Sequence, residues 1–357
     1  MKRIKRNFNE PEYRQLKCIS YSQLSNLDSY PESLIQTKPM EMTEPLIYGS
    51  AVDCLAFDGR EVFDKKFTVI SQEKPSWMLE KVLKGVIDEI FITHNELLGI
   101  PISEDLSKYS DIILKVAKSV EYGKGWKPET IIRKTIEGCG ELYKNTIKNR
   151  DKLALSPQQY EYVENSVTTL FTHEFTAEFF TADEGQDIYY QLPIIWDYFD
   201  KELNKTIHCK SLLDILLIDH NTKTIYPIDL KTTGKSIYSF NKSFIEWRYF
   251  LQASFYSDAV KHLCNVQYPE LADYNIALFK FVVISSKNPR KPLAFQITNG
   301  VLDAGKFGTV NPNNHKIKQR GYLELVRDMQ WHINNQKFDY PKEIYDKKGM
   351  VILDSLF

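Results

Sequence analysis

The sequence predicts an α/β protein with a central mixed β-sheet, flanking helices and a helical N-terminal half. Strand-like segments rich in β-branched and aromatic residues are concentrated after residue 186. A long helical segment separates the third of these strands from the fourth, and the preceding residues show helical rather than alternating periodicity.

Helices are predicted in the N-terminal half from apolar periodicity and from start and stop residues. Ser20 is the expected N-cap of the first helix, and Pro31 follows its end. The five predicted helices cover residues 20–27, 46–57, 77–91, 111–120 and 131–149. We therefore expect a helical region over residues 1–155 and a core over residues 156–357, together forming one integrated domain.

The predicted core opens with a helix that starts at Ser156-Pro157, because proline is favoured in the first helical turn. Strands follow in IYYQLPIIWDYF, KSLLDILLID and TKTIYPIDLKTT. A long amphipathic helix is predicted over residues 243–263, two strands over residues 277–286 and 293–298, and a last helix over residues 321–334.

Composition excludes several classes of protein. The 357 residues are 43% hydrophobic and 26% charged, with a mean hydropathy of -0.38 and no apolar run that could span a bilayer. The basic N-terminus lacks a following apolar segment, so we expect a cytoplasmic protein, in the bacterial host if a phage encodes it. The five scattered cysteines predict no iron–sulfur cluster, and the missing phosphate-binding loop predicts no use of ATP.

The net charge of -1 requires any nucleic-acid contact to be local. Three clusters of basic residues are candidates, although solvated surface charge is the competing interpretation of each. They are Lys144, Lys148, Arg150 and Lys152; Lys287, Arg290 and Lys291; and Lys316, Lys318 and Arg320.

Two aspartates are predicted to oppose each other across a hairpin. If its turn is centred between Asn221 and Thr222, Asp214 pairs with Asp229. Lys231 lies two residues after Asp229, so the strand period of two puts it on the same face. Like charges directly opposed destabilise a sheet, and a hard cation such as Mg²⁺ or Mn²⁺ would relieve this repulsion. The alternative is that both aspartates face solvent and pair with lysines.

One set of residues resembles the motif of the RecB-like branch of the PD-(D/E)XK nuclease superfamily. The set consists of Asp214, then IDLK at 228–231, then Gln252 and Tyr256 as a QxxxY pair. The likeness is greatest to phage exonuclease VIII-type recombination exonucleases. It extends over GSAVDCLAFDGREVFDKKFTVIS, LALSPQQYEYVENSVTTLFTHE, YYQLPIIW, CKSLLDIL, DLKTT and LQASFYSDAV, in the order of that family.

The resemblance implies a restriction-endonuclease-like core and Mg²⁺- or Mn²⁺-dependent hydrolysis of linear duplex DNA, 5′ to 3′, in phage-type recombination. It implies catalytic roles for Asp214, Asp229, Lys231, Gln252 and Tyr256. The implied metal ligands are Asp53, Asp214, Asp229 and the backbone carbonyl of Leu230, with support from Gly49 and Gln191. A single-strand annealing protein and a homo-oligomeric ring are the partners it suggests.

Two residues depart from the family pattern. Asp53 stands four residues after Gly49, where relatives carry a histidine, and Gln191 stands where relatives carry a glutamate. Asp53 can ligate Mg²⁺ through oxygen, or it can be an acid at a helix N-terminus that interacts with the helix dipole. The departures leave two alternatives open: a RecB-like nuclease acting on single strands or with a helicase, and a catalytically weakened DNA-binding module.

Overall fold

Among the residues that the computed structural model describes, seven strands form one mixed sheet, and helices account for most of the remaining regular structure. The structure describes residues 3–350 apart from 6–7, 9, 28–29, 36–41, 71–74, 95–100 and 312–313. An α/β fold with a mixed central sheet, as the sequence predicts, is confirmed.

The strands are long in the middle of the chain and short elsewhere. They are β1 (Ile19–Ser20), β2 (Phe67–Val69), β3 (Leu153–Leu155), β4 (Gln186–Asp200), β5 (Lys205–Asp219), β6 (Thr224–Thr233), β7 (Asn275–Ile276), β8 (Lys280–Ser285), β9 (Asn288–Gln296), β10 (Thr309–Asn311) and β11 (Asn314–Gln319).

The helices occupy the N-terminal half and the connections of the core. They are α1 (Glu10–Gln15), α2 (Tyr21–Leu27), α3 (Glu44–Asp53), α4 (Arg60–Lys66), α5 (Trp77–Thr93), α6 (Ser110–Ser119), α7 (Pro128–Lys148), α8 (Pro157–Thr172), α9 (Phe240–Glu246), α10 (Tyr249–His262), α11 (Asn299–Phe307), α12 (Tyr322–Asn335) and α13 (Lys342–Asp346). A π-helical turn, Cys54–Asp58, continues α3. None of the helices described is long and apolar enough to cross a membrane.

Strand β5 organises the sheet. It pairs with β4 in antiparallel orientation along its length, except at Asp214. Its other edge pairs with β1 at Cys209 and Lys210, and with β6 from Ile215 onward. Strand β6 is parallel to β8, and β9 is antiparallel to β8.

The single helix predicted over residues 243–263 is wrong, because the structure has two helices, α9 and α10. Arg248, between them, has a φ of 54°, a left-handed conformation that a right-handed helix cannot continue through. Helix α10 is also buried on nearly all sides rather than amphipathic, with Leu251 and Phe255 fully buried. The break therefore directs the second helix into the core.

The chain divides into two compact units. One comprises residues 1–57 and 165–357, and the other comprises residues 58–164. The first holds the sheet and packs α10 and α12 into its apolar core, with Trp196, Phe255 and Tyr322 among the buried aromatic residues. The second is built around α5, α6 and α7, which bury Val86, Ile113 and Tyr143. Gly49 and Asp53 belong to the unit that holds the sheet.

Candidate active site

The site lies where β6 separates from β5. Five residue pairs join these strands, the last being Ile215 with Ile228. This confirms the predicted register, in which Asp214 and Asp229 are the next opposed positions. From Ile228 onward β6 pairs with β8 on its other edge. The two aspartates therefore lie at a fork in the sheet, where the ladder between their strands has ended.

The side chain of Asp214 replaces a main-chain partner at this fork. Its Oδ2 accepts a hydrogen bond of 2.9 Å from the backbone N–H of Leu230. Its Oδ1 accepts a second bond of 2.9 Å from Nε2 of Gln191. One carboxylate thus connects β4, β5 and β6, and its orientation is set from both sides.

Asp229 is held by a residue of helix α10. Its Oδ1 accepts a hydrogen bond of 2.7 Å from Nε2 of Gln252, and its Oδ2 forms an ion pair with Lys231. The Asp229 side chain is 2% exposed and that of Lys231 is 18% exposed. The structure therefore brings Asp214, Asp229, Lys231 and Gln252 together, as the sequence motif suggests.

Lys231 has aromatic neighbours as well as acidic ones. Its ammonium lies 4.9 Å from the ring centre of Tyr249 and 5.9 Å from that of Phe281, distances at which a cation is attracted to a ring face. The rings restrict the directions that the long lysine side chain can take. The ammonium is thereby kept beside the two carboxylates.

The buried charges shift one another's pKa. Burial, and then the charges of Asp229 and Asp53, raise the pKa of Asp214 well above its ordinary value. Burial also raises the pKa of Asp229, although Lys231 opposes the rise. Burial lowers the pKa of Lys231, but Asp229 and Asp214 outweigh it and raise that pKa overall. The acids thus favour the charged form of Lys231, whereas the charge of Asp229 disfavours ionisation of Asp214.

Two buried oxygens of the site, Oδ2 of Asp229 and Oε1 of Gln252, have no hydrogen-bond donor among the described residues. The lysine ammonium approaches Oδ2 at ion-pair distance, but no donor meets it with hydrogen-bond geometry. An unsatisfied buried oxygen costs free energy, and a hydrogen-bond donor or a bound cation would remove that cost. Carboxylate and amide oxygens are the ligands that Mg²⁺ and Ca²⁺ prefer. The pattern fits a hard divalent cation.

Among the described residues, no three His, Cys, Asp or Glu side chains come together as a metal-holding group. The charge of Asp53 adds, after burial and the charge of Asp229, to the raised pKa of Asp214, but among the described residues Asp53 is not assembled with the two aspartates into one ligand set. The ligand role predicted for Asp53 stays a prediction. Mg²⁺ commonly keeps several waters and uses only one or two carboxylates, so two aspartates are sufficient for such a site.

The other interpretation of Asp53, an acid at a helix N-terminus, is wrong. Asp53 is the last residue of α3, where the α-helix passes into the π-helical turn Cys54–Asp58. An acidic group at this end of a helix gains nothing from the helix dipole. The π-helical turn is a type of irregularity that is frequent at functional sites.

Gly49 permits α3 to lie close to β6. A Cβ added at Gly49 would be 2.9 Å from Oγ1 of Thr232, the residue that follows Lys231. A larger residue would therefore push the helix away from the strand or displace the threonine. The predicted supporting role of Gly49 has a physical basis in this contact, since the same helix carries Asp53.

Gln191 faces Asp214 in an irregular part of β4. Tyr190 pairs with Ile215 and Leu192 pairs with Leu213, but Gln191 and Asp214 are not paired between them. Gln191 has a φ of 46°, in the left-handed region that residues other than glycine rarely occupy. Strained backbone of this kind is concentrated at functional sites. The conformation accompanies the hydrogen bond from the Gln191 amide to the Asp214 carboxylate.

Tyr256 and two further tyrosines lie around the lysine. Tyr256 is buried, and this burial raises its pKa well above the ordinary value, with Asp229 and Asp214 adding to the effect. Tyr21 packs edge-on against Tyr256 at 6.4 Å. Burial raises the pKa of Tyr21 to about 12, against the opposing charge of Lys231.

Sequence reasoning missed Tyr21 and Tyr249. Tyr249 is three residues before Gln252 in α10, so the helical period could have identified it as a neighbour on that face. Tyr21 is about 200 residues from Lys231 and belongs to no motif, and no sequence signal points to it. Its hydroxyl donates to the carbonyl oxygen of Trp247 at 2.9 Å, a contact that only the fold creates.

The two basic clusters after residue 280 differ in whether their charges are paired with carboxylates. Arg320 forms ion pairs with Glu324 and Asp328, so it is not a free cation. The side chains of Lys316 and Lys318 are outside the described residues. Lys287, Arg290 and Lys291 are all exposed.

Comparison with known proteins adds little. No known protein family and no curated protein matches this chain. A solved structure from Eubacterium rectale, provisionally named an exonuclease, is similar over 100% of this chain and 97% of its own, with 10% sequence identity and a TM-score of 0.44. Similarity this low carries no argument, so a functional assignment has to come from the geometry of the site.

Proposed function

We propose that this chain is a metal-dependent nuclease of the PD-(D/E)XK type that hydrolyses phosphodiester bonds of DNA. One observation carries the proposal: Asp214 and Asp229 converge with Lys231 at the fork between β5 and β6, where all three are largely shielded from water. Two acids and a lysine on one sheet face are the groups needed to hold a divalent cation beside a phosphate.

The metal ligands in this proposal are Asp214 and Asp229. Leu230, whose N–H already holds Asp214, would add its main-chain carbonyl. Asp53 is close enough for its charge to act on Asp214, and it would join through a water or directly. A bound Mg²⁺ or Mn²⁺ ion would lower the pKa of a water ligand and offset charge that develops on the phosphoryl oxygens.

Lys231 acts in this proposal as a cation, because its ammonium forms an ion pair with Asp229 beside Asp214. A fixed ammonium beside the carboxylates stabilises an anionic phosphoryl oxygen electrostatically. Gln252 orients Asp229 through its amide N–H, and the Leu230 N–H and Gln191 orient Asp214. Tyr256 is buried near these charges, and in this proposal it excludes water from them.

The finer part of the proposal follows the sequence resemblance. We propose that the chain is a 5′ to 3′ exonuclease that acts on linear duplex DNA without ATP. In this proposal it serves phage-type recombination with a single-strand annealing protein and acts as a homo-oligomeric ring. A second candidate is a catalytically weakened DNA-binding module. The observation in its favour is Gln191, whose neutral amide stands where relatives place a carboxylate and which donates to Asp214 rather than adding a charge.

Digestion of end-labelled linear duplex DNA and of covalently closed circles, with Mg²⁺, Mn²⁺ or EDTA, tests the proposal. Asp214→Asn, Asp229→Asn and Lys231→Ala should each reduce cleavage by about 10²- to 10⁴-fold. Asp197→Asn is the matched control, since Asp197 lies on the same sheet but pairs with His208. Digestion by the three variants at the wild-type rate would overturn the assignment. Cutting of closed circles would make the enzyme an endonuclease.

A further inference from the structure

An exposed surface adjoins the candidate site at the ends of β6 and β8. The turn between β8 and β9 is held against β6 by a hydrogen bond of 2.9 Å from the N–H of Ser286 to the carbonyl of Thr233. The Ser285 hydroxyl also reaches the carbonyl of Lys235, at 3.5 Å. Since Lys231 is only two residues before Thr233, this turn lies beside the chain segment that leaves the site.

The segment after β6 presents aromatic rings to solvent. The Lys235 ammonium pairs with Glu246 at 2.8 Å, which draws the start and the end of the segment together. Phe240 is buried, with its ring 6.0 Å from that of Phe281, so this side of the segment is anchored to the sheet. In the same segment, the residue Tyr238 is 77% exposed and Trp247 is 57% exposed. A buried anchor with exposed rings gives a rigid support for stacking.

The neighbouring turn and the start of β9 supply positive charge. Lys287 in the turn and Arg290 and Lys291 in β9 are exposed, and none has a carboxylate partner in the described part of the chain. Lys242, in α9, is exposed as well. Residues 237–239, which include Tyr238, lie against β8, the strand that leads directly into the turn with Lys287. Four cations and two exposed rings in continuity with a site for phosphodiesters complement the charge and the bases of a nucleic-acid strand.

We propose that this strand-binding surface, formed by Tyr238, Lys242, Trp247, Lys287, Arg290 and Lys291, binds one single strand of DNA that passes to or from the active site. The cations contact its phosphates, and the two rings stack on its bases. Only unpaired bases expose their faces for stacking, so the surface favours a single strand over a duplex. The inference rests on the proposed function, since it takes DNA to be the substrate.

Fluorescence anisotropy with a labelled oligothymidine of about 15 nucleotides tests the surface directly. Binding is measured in EDTA with Asp229→Asn as the background, so that cleavage does not interfere. Adding Tyr238→Ala or Trp247→Ala should weaken binding about tenfold each. Removing Lys287, Arg290 and Lys291 together should reduce the slope of log Kd against log salt by about 2.

Matched controls are available in the same unit of the chain. Tyr340→Ala removes another exposed tyrosine, which is 56% exposed, and Lys201→Ala removes an exposed lysine from the turn between β4 and β5. Both controls should bind as the background does. Circular dichroism of each variant separates loss of binding from loss of structure.

Three outcomes overturn the inference: unchanged affinity in both aromatic variants, an equal loss in the controls, or tighter binding to a blunt duplex of the same length. Weaker binding in the lysine and arginine variants, with normal binding in both aromatic variants, would also overturn the inference. Only nonspecific attraction between charges would then explain the binding. The proposed function is judged separately, by cleavage with Mg²⁺. A wild-type enzyme that cuts DNA while the surface variants bind normally refutes the surface alone, whereas binding without any cleavage refutes the nuclease alone.

Discussion

The side-chain amide of Gln191 donates a hydrogen bond of 2.9 Å to Oδ1 of Asp214, the residue that faces it across β4 and β5. Gln191 makes this contact from a left-handed backbone conformation, which costs on the order of 1–3 kcal/mol for a residue other than glycine. The flanking pairs Tyr190 with Ile215 and Leu192 with Leu213 hold the strand on both sides. The amide therefore supports a buried acid at a point where another carboxylate would repel it.

Gln191→Glu should lower the stability of the metal-free protein and reduce the Mg²⁺ concentration needed for cleavage. The new carboxylate would repel Asp214 in the absence of a cation and attract a cation when one is present. Thermal melts in EDTA and a Mg²⁺ titration of cleavage measure the two effects. Gln191→Met, which is similar in size but uncharged, is the control and should not lower the Mg²⁺ requirement. If Gln191→Glu needs the same Mg²⁺ concentration for cleavage as the wild type, the residue at position 191 does not contribute to metal binding.

Asp53→Ala should raise the Mg²⁺ concentration needed for cleavage, because the charge of Asp53 reaches Asp214 and adds to the negative potential of the site. Asp53→His should retain activity and shift the metal preference toward Mn²⁺, since imidazole suits transition metals better. Titrations of cleavage with each metal provide the comparison. Asp58→Ala, at the end of the same π-helical turn, is the control. If Asp53→Ala and Asp58→Ala need the same Mg²⁺ concentration for cleavage, Asp53 does not contribute to metal binding.

Gly49→Ala should impair cleavage by pushing α3 away from β6, because the added Cβ would lie 2.9 Å from Oγ1 of Thr232. Changing Thr232→Ala in addition removes the obstructing atom, so the double variant should recover much of the lost rate. The measurement is the cleavage rate of both single variants and of the double variant. A double variant as impaired as Gly49→Ala alone would show that the contact with Thr232 is not the cause.

Asp258→Asn should destabilise the fold at neutral pH by about 1–3 kcal/mol. Asp258, in α10, pairs with Lys306 at 2.7 Å and accepts a hydrogen bond from Tyr322, so it connects three helices. Burial raises the pKa of Asp258, but these partners outweigh it and lower that pKa overall.

The sign of the pH effect follows from the lowered pKa of Asp258. The stabilisation is complete above the unfolded pKa of about 4 and is lost as pH falls through the folded pKa. The difference in melting temperature between wild type and Asp258→Asn should therefore be largest near neutrality and shrink in acid. Asp339→Asn, an exposed aspartate, is the control. A difference that grows in acid would contradict the prediction.

Gly305→Ala should destabilise the protein by about 1–3 kcal/mol or more through overpacking. A Cβ at Gly305 would lie 2.2 Å from the carbonyl oxygen of Phe250, a backbone atom of α10 that cannot move aside easily. Gly300→Ala in the same helix is the control, because its Cβ would meet Oγ1 of Thr298 at an ordinary 3.9 Å. Chemical denaturation measures both, and equal stability of the two variants would refute the close contact.

The short turn between β5 and β6 is a local feature, and centring it between Asn221 and Thr222 sufficed to predict the register that sets Asp214 opposite Asp229. Lys231 follows from the same period of two. The spacing of Gln252 and Tyr256 likewise places both on one helix face, as a sequence pattern can show. These relationships span few residues, so the geometry of a strand or helix determines them without knowledge of the fold.

Contacts between distant segments were decided only by tertiary structure. The left-handed Gln191, the break between α9 and α10 at Arg248, and Tyr21 near Lys231 have no local signal. Each depends on packing free energy gathered from residues far apart in the chain, which can override local backbone preference. The sequence by itself determined which acids and which lysine share a face. The fold decided which side chains surround them, because burial and long-range contacts exist only once β4, β6 and α10 have come together.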